Sequence, residues 1–571
     1  MVNQQLAKIF YEIAEYLAMD EVPFKPQAYE RAARVIEGME DDLEEIYGQG
    51  GKKALVEIDG VGQNLAEKIE EFIKTGRVKE HIELKKKCPV DLEHLSAVEG
   101  LGPKMIKTLY QKLKIRNLTD LTKAAKSGKI AKLPRFGPKT QENILRSIDF
   151  VKSGQGRILL GVALPLAEKI ENRLREIPGV KEVVTAGSIR RRKETAGDID
   201  ILAVAENSSK IMDVFCSLPE VEKILAKGDT KSMVRLHNGL DADLRVVGEE
   251  SFGAALQYFT GNKDHNIALR QIAQDRGHKL NEYGLFRGKQ SVAGKTEQEI
   301  YKVLGLQYPE PELRENTGEI EAARKNKLPV LVKVQDVKGD LQMHSTWSDG
   351  ANSIEEMARA AQKLGRQYIA ITDHAGHLAI AGGLNETKLK EHMVEIDKIN
   401  KKLSGIKILK GAEVDIKKDG ALAIADEVLA KLDLVLVAIH DNFKMDKEAM
   451  TARICRALSN RYANILAHPS GRLINRREGY AVDWEKVFAA ARKNQVAIEI
   501  NAYPERLDLS WQNVKKAIAS GVKLSIGTDA HSFGHLAYLP LGVSVARRGW
   551  AEKKDIINCL GYRDLIKFLK K

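Results

Sequence analysis

Asp198 and Asp200 stand one residue apart, just after Gly187-Ser188-Ile189-Arg190-Arg191. The stretch from Asp198 to Val204 has the apolar character of a strand, whose side chains repeat every second residue. Both carboxylates therefore leave one face while Ile199 and Ile201 enter the core. Carboxylates this close repel each other unless cations sit between them. A pair of divalent metals holding a phosphate for in-line displacement is the usual reason for such a pair. An isolated Asp-x-Asp would read as an acidic strand edge; the upstream Gly-Ser and arginines shift the weight to phosphate chemistry. Gly187-Ser188 predicts a tight turn whose backbone N–H groups approach phosphate oxygens. Arg190 and Arg191 add charge-assisted donors suited to a triphosphate. A third carboxylate is expected from Leu240-Asp241-Ala242-Asp243-Leu244, where Asp241 and Asp243 share a face and periodicity does not choose between them. The chemistry implied is attack of a hydroxyl on an α-phosphate with release of pyrophosphate.

A second set of chemically capable residues lies in the last 230 or so positions. Apolar strand candidates near 338–344, 367–373, 406–416, 432–439, 463–467, 496–501 and 523–528 alternate with helical patterns. That repeat predicts a β/α barrel with its active site at the C-terminal strand ends. The ends carry Gln342 and His344, followed by Asp349, then His374, Glu413, His440, His468, Asp529 and His531. One strand-end histidine is commonly a satisfied hydrogen-bonding residue, but this many at one rim point to metal. Imidazole mixed with carboxylate suits zinc, manganese or iron, and clustered ions suit phosphoester hydrolysis.

The elements that position these groups begin with an N-terminal third rich in helix, Gly-turn, helix repeats. The turns are Ile58-Asp59-Gly60-Val61-Gly62, Val98-Glu99-Gly100-Leu101-Gly102 and a degraded third, Leu133-Pro134-Arg135-Phe136-Gly137. This resembles the helix-hairpin-helix motif, in which turn amides and a helix N-terminus hold a DNA phosphate regardless of base. Arg135 replaces the first glycine of the third copy. Lys68 falls one turn into the helix after the first turn and reads, by spacing alone, as a surface lysine.

Hairpins, then Gly-Ser-Ile-Arg-Arg, Gly-Asp-Ile-Asp and Tyr258-Phe259-Thr260-Gly261, resemble a family X DNA polymerase of the polymerase-beta type over about residues 1 to 317. The strand-end donors resemble a PHP (polymerase and histidinol phosphatase) domain, a trinuclear metal hydrolase, and the combination is the bacterial and archaeal architecture. The resemblance implies a helical hairpin region, an α+β nucleotidyltransferase palm with a thumb, and a distorted (β/α)7 barrel. The expected divisions are 1–85, 86–150, 151–250, 251–317, a linker at 318–335, and 336–571. It makes Asp198, Asp200 and Asp243 the metal triad, with Mg2+ or Mn2+, and assigns Gly187, Ser188, Arg191 and Arg157 to the triphosphate. Tyr258, Phe259 and Gly261 would line the sugar side, Asn266 would meet the incoming base and Arg270 the template. Lys68 becomes a candidate Schiff-base nucleophile on an abasic sugar, with Lys25 and Tyr29 at a 5′-phosphate. The barrel is expected to hold up to three Zn2+, Mn2+ or Fe2+ ions. Two departures stand out. Asn64 replaces a hairpin lysine common in the animal enzymes. Gln342 stands where the opening motif is usually His-x-His, and an amide oxygen is a weaker ligand than imidazole.

At 571 residues the chain is too long for one core. Its net charge of +12 favours a polyanionic partner. No apolar stretch approaches a membrane span, and Cys88, Cys216, Cys455 and Cys559 lack metal-site spacing. The expectations are a cytoplasmic monomer acting on gapped or nicked duplex DNA and dNTPs. It would fill repair gaps at the palm and remove 3′ nucleotides, or cut abasic sites, at the barrel. The alternatives are a template-independent nucleotidyltransferase, a scaffold with a metal-poor barrel, and a barrel acting on a small phosphomonoester.

Overall fold

The computed structural model describes residues 2–37, 39, 41–58, 60–96, 98, 101–134, 136–154, 156–376 and 382–570. The N-terminal part is all helix, from Val2–Met19 and Lys25–Glu37 to Pro138–Gly154. One continuous buried cluster runs from Leu6 through Ile69 and Leu109 to Ile148. Both described hairpin turns therefore rest on a single core. Gly62 and Gly102 are extended N-caps of the helices Gln63–Thr75 and Pro103–Leu113, and Pro103 starts its helix where no N–H is needed.

The palm is a five-stranded sheet in the order Val180–Thr185, Asp198–Ala205, Asp241–Val246, Lys231–Leu236, Val221–Lys227. Asp198–Ala205 and Asp241–Val246 run parallel, and every other pairing is antiparallel. The helices Leu160–Arg175 and Ser208–Cys216 bury their apolar stripes on this sheet. A helical pair, Phe252–Thr260 and Lys263–Asp275, then leads into a small antiparallel meander and the helix Glu297–Val303.

The segment 309–327 (PEPELRENTGEIEAARKNK), whose polar, charge-rich composition by itself suggests a connection, is packed structure. It holds a 3-10 turn, Pro311–Leu313, and the helix Glu319–Arg324. Four of its charged side chains have partners elsewhere: Arg314 with Glu297 (2.5 Å), Glu319 with His265 (2.7 Å), Glu312 with Arg547 (2.7 Å) and Glu315 with Arg548 (3.2 Å). Composition misleads here because the partners lie far away in sequence.

The C-terminal part is a nearly closed barrel of parallel strands, from Gly339–Asp340 and Tyr368–Ile371 through Lys407–Asp415, Leu434–Ala438, Ile465–Leu466 and Ala497–Asn501 to Leu524–Gly527. The ends meet through Asp529 N–H to Gln342 O (3.0 Å) and His344 N–H to Ala530 O (2.8 Å). A short strand, His374–Ala375, pairs beside Glu413-Val414. The palm packs against the barrel. Gly161 lies so close to Pro504 that a Cβ there would sit 2.7 Å from it. Arg472 also pairs with Glu194 at 2.8 Å. Among the described residues no helix is long and apolar enough to cross a membrane.

Two candidate metal centres

The parallel register places Asp198 opposite Asp241 and Asp200 opposite Asp243. All four carboxylates lie on the face opposite the buried Ile199, Ile201, Ala242 and Leu244. Local chemistry separates the two candidates for third member. Asp241 is clamped by the exposed Arg235 on the neighbouring strand. Among the described residues Asp243 pairs only with Lys231, at 3.3 Å, and it faces Asp200. Burial, then the fields of Asp198 and Asp243, push the Asp200 carboxyl up to about 6. A group of carboxylates in that condition is relieved by a divalent cation.

Gly187 adopts φ +60°, and a Cβ there would collide with Asp200 Oδ2, so only glycine lets the turn close on the carboxylate. The next residue, Ser188, keeps its hydroxyl buried with no partner among the described residues. Arg157 hydrogen-bonds Thr195 (2.9 Å to Oγ1, 2.6 Å to O) and reaches the backbone beside Asp198, 3.1 Å from where a Gly197 Cβ would be. Arg191 is nearly buried, ion-paired with Glu315 at 3.2 Å and bonded to the Thr260 carbonyl.

Arg190, which sequence places beside it as a triphosphate donor, is not aimed at the carboxylates. It forks onto Glu297 (3.0 and 2.6 Å) and Thr260 Oγ1 (2.5 Å). Its guanidinium is a tie between the palm and the helix Glu297–Val303. Two consecutive arginines look alike in sequence, and a partner 107 positions away decides which one is structural.

Tyr258 and Phe259 meet edge to face at 5.1 Å, and the Arg245 guanidinium lies 4.6 Å over Phe259. Gly261 sits where a Cβ would be 3.2 Å from Arg191 Nη1. Asn266 is 8% exposed and satisfied within the protein, donating to the Tyr258 carbonyl (2.7 Å) and accepting from Gln257 (2.7 Å). Arg270 is half-buried on the helix Lys263–Asp275.

In the first hairpin Gly60 takes φ +73° with Arg31 packed against it, and Gly62 is exposed at a helix start. Gly102 is likewise exposed, and Gly100 lies outside the described residues. Lys68 is 3.3 Å from Glu80, which also accepts from Tyr29 (2.8 Å). Lys25 is exposed at the start of its helix.

The barrel rim gathers its donors far more tightly. Glu413 is central: His468 (2.8 Å), His440 (2.9 Å), His344 (3.3 Å) and His374 (3.8 Å) all converge on it. Asp349 faces His531 (3.4 Å), His374 (3.7 Å) and His344 (3.9 Å), and Asp529 faces His344 (3.2 Å). Three sets have ligand atoms close enough for one ion each: His344, Asp349, His374 and His531; His374, Glu413 and His440; and His344, Glu413 and Asp529. Burial opposes the charge on Glu413, yet the surrounding imidazoles hold its carboxyl well below the usual carboxylate range. Burial likewise opposes protonation of His440, but Asp415 and Glu413 lift it to about 9. His374, for which burial wins, falls to about 4. Mixed nitrogen and oxygen donors in three sharing groups fit zinc, manganese or iron.

Gln342 is fully buried, its amide N–H donating to Glu413 (3.0 Å) and its oxygen accepting from Asn501 (3.5 Å). Further acids support the ligands. Asp415 orients His440 (2.7 Å), a partner legible only as Glu413-x-Asp415 on one strand face. Asp373 is held by Ser345 (2.6 Å) and His392 (3.0 Å). Glu499 is buried, and burial and then Asp529 push it well above the carboxylate range. A contact from the hairpin part also went unforeseen: Arg34 donates to the Asp349 carbonyl (3.1 Å), and its guanidinium lies 3.8 Å from the carboxylate.

Residues 1–78 match the helix-hairpin-helix domain family, 92–149 the SAM-like helix-hairpin-helix tandem, 255–315 the DNA polymerase beta thumb and 340–503 the PHP domain. The DNA polymerase/3′-5′ exonuclease PolX of Bacillus subtilis (strain 168) is 37% identical over 576 residues, covering 100% of both chains. A probable phosphatase of Thermoanaerobacter sp. (strain X514) is 35% identical over 209 residues, 34% of this chain and 78% of the relative. DNA polymerase lambda of Rattus norvegicus is 27% identical over 290 residues, 45% of this chain and 48% of that protein.

Proposed function

The chain belongs to the bacterial PolX family of DNA polymerase/3′-5′ exonucleases, and from that membership we propose that it fills short gaps in duplex DNA at the palm and removes 3′ nucleotides at the barrel. The observation that carries the palm assignment is the register of Asp198 and Asp200 against Asp243, with Asp200 lifted by the other two. Asp198, Asp200 and Asp243 hold Mg2+ or Mn2+, and the barrel donors hold up to three Zn2+, Mn2+ or Fe2+ ions. Such ions supply Lewis-acid stabilisation of the attacking and leaving oxygens in phosphoryl transfer.

The protein's own part at the palm is orientation and proton handling. The Gly187-Ser188 turn offers backbone N–H groups and the unpartnered Ser188 hydroxyl to the triphosphate. Arg157 flanks it, and Arg191 joins when it exchanges Glu315 for phosphate. Tyr258, Phe259 and Gly261 wall the sugar, Asn266 meets the base edge and Arg270 the template. Asp243 or a nearby water accepts the primer 3′-hydroxyl proton. Gly60, Gly62, Gly100 and Gly102 grip duplex phosphates, which makes binding independent of sequence. Lys25 and Tyr29 lie beside a 5′-phosphate, and Lys68 acts on an abasic sugar once its pair with Glu80 breaks. The working form is a monomer on gapped or nicked DNA.

The test is primer extension on a one-nucleotide-gapped duplex and on the same primer without template, with Asp243→Ala and Asp241→Ala compared. Template-dependent extension lost in the first variant and kept in the second supports the assignment. Equal loss in both, or extension without template, contradicts it. The match of 34% of this chain to a probable phosphatase supports a second reading, phosphomonoester hydrolysis at the barrel. Turnover of p-nitrophenyl phosphate that His344→Ala abolishes, without primer shortening, would favour it.

A further inference from the structure

Gln342 leaves the ion position bounded by His344, Glu413 and Asp529 one imidazole short, and the structure places an unclaimed carboxylate beside Gln342. Glu499 lies on the strand Ala497–Asn501, 1% exposed. Its Oε2 accepts from the His468 backbone N–H (2.7 Å) and from Asn501 Nδ2 (3.3 Å), but its Oε1 has no partner among the described residues. That oxygen lies over Gly527, the last residue of the strand Leu524–Gly527. A Cβ built on Gly527 would collide with Glu499 Oε1 and lie 3.2 Å from Gln342 Oε1, so both oxygens border one point. Asn501 Nδ2 then links the group, reaching Gln342 Oε1 (3.5 Å), Glu499 Oε2 (3.3 Å) and Asp529 Oδ2 (3.0 Å). Glycine at 527 is what lets the two side chains approach.

A buried carboxylate with an open oxygen, close to two further carboxylates, needs a proton or a cation. We propose that Glu499 is a metal ligand of this chain, completing with His344, Glu413, Asp529 and the Gln342 oxygen a site that prefers a hard divalent ion such as Mn2+. The exchange of imidazole for amide and carboxylate oxygens moves the donor set from borderline toward hard, which weakens selection for Zn2+ and strengthens it for Mn2+. The inference rests on the barrel being a metal centre.

The experiment is direct titration of the EDTA-stripped full chain with Mn2+ and with Zn2+, followed by calorimetry and elemental analysis. An Asp200→Asn background removes the palm from the reading. Glu499→Gln keeps shape and hydrogen-bonding capacity while removing the charge. It is expected to lose one Mn2+ per chain or to bind it about tenfold or more weakly. The double variant Glu499→Gln with Gln342→His is expected to recover a tight site now favouring Zn2+. Unchanged Mn2+ stoichiometry and affinity in Glu499→Gln would overturn the proposal and leave Glu499 as a protonated strut. Loss that Gln342→His does not repair, with a lowered melting temperature in EDTA, would overturn it as well. If the parent chain binds no ion at the barrel, the metal centre itself fails, and this assignment with it.

Discussion

The palm and the barrel solve the same problem, holding cations for phosphate chemistry, in opposite ways. At the palm three carboxylates on two adjacent strands repel one another, with Asp198 exposed and few protein partners. At the barrel each carboxylate is already surrounded by imidazoles, and Glu413 and His344 are fully buried. An open, repulsive triad binds ions weakly until a polyphosphate arrives with them. A buried, interlocked set holds ions as part of the fold, because the site is assembled only in the folded chain and metal binding then contributes to folding free energy. The difference implies that the palm exchanges metal with each substrate and the barrel retains it.

The largest effect expected is on palm chemistry. Asp200→Asn should lower gap extension about a thousandfold or more while leaving the melting temperature almost unchanged, because removing one of three repelling charges does not destabilise the fold. Rapid-quench extension and calorimetry check both halves. At the barrel the balance reverses. Glu413→Ala should cost about 3–5 kcal/mol of stability, since it strips the counterion from several buried imidazoles, together with nuclease activity. A melting temperature equal to that of Asp200→Asn would break the comparison.

The tie between palm and thumb should fall between these. Glu297→Gln leaves Arg190 and the fully buried Arg314 without their shared carboxylate, costing about 3 kcal/mol. It should slow extension while sparing primer shortening, read on one labelled substrate. A smaller effect concerns pH. The Asp200 carboxyl stands at about 6 in the metal-free fold, above its ordinary value. Its ionised form is thus the disfavoured one, and the metal-free protein gains stability as pH falls through 6. Metal must displace that proton, so Mn2+ affinity at the palm should drop about tenfold per unit below pH 6. Titration from pH 7.5 to 5 measures it, and a flat profile would remove the carboxylate repulsion from the account.

Much of this was legible in sequence because the informative residues sit at fixed periods. Asp198-x-Asp200 alternates with buried isoleucines, the glycine pairs precede amphipathic helices, and the barrel donors mark strand ends. The illegible parts all depend on partners distant along the chain. Arg190 reads as a phosphate donor until Glu297 is seen beside it. The segment 309–327 reads as a connection because its charges are counted without Arg547, Arg548 and His265. Asp241 and Asp243 are equivalent by period and are told apart by Arg235 and Lys231 on a neighbouring strand and by which of them faces Asp200. Glu499 is one acid in an apolar strand, and only barrel closure brings it next to Gln342.

The central claim is that one chain carries two independent metal centres. It is tested most directly by running Asp198→Ala and His344→Ala beside the parent chain on a gapped, 5′-phosphorylated duplex with labelled primer and Mn2+, with and without dNTPs. Loss of extension alone in the first variant, and of primer shortening alone in the second, is the predicted result. Joint loss of both activities in either variant, or primer shortening undiminished in His344→Ala, would contradict it.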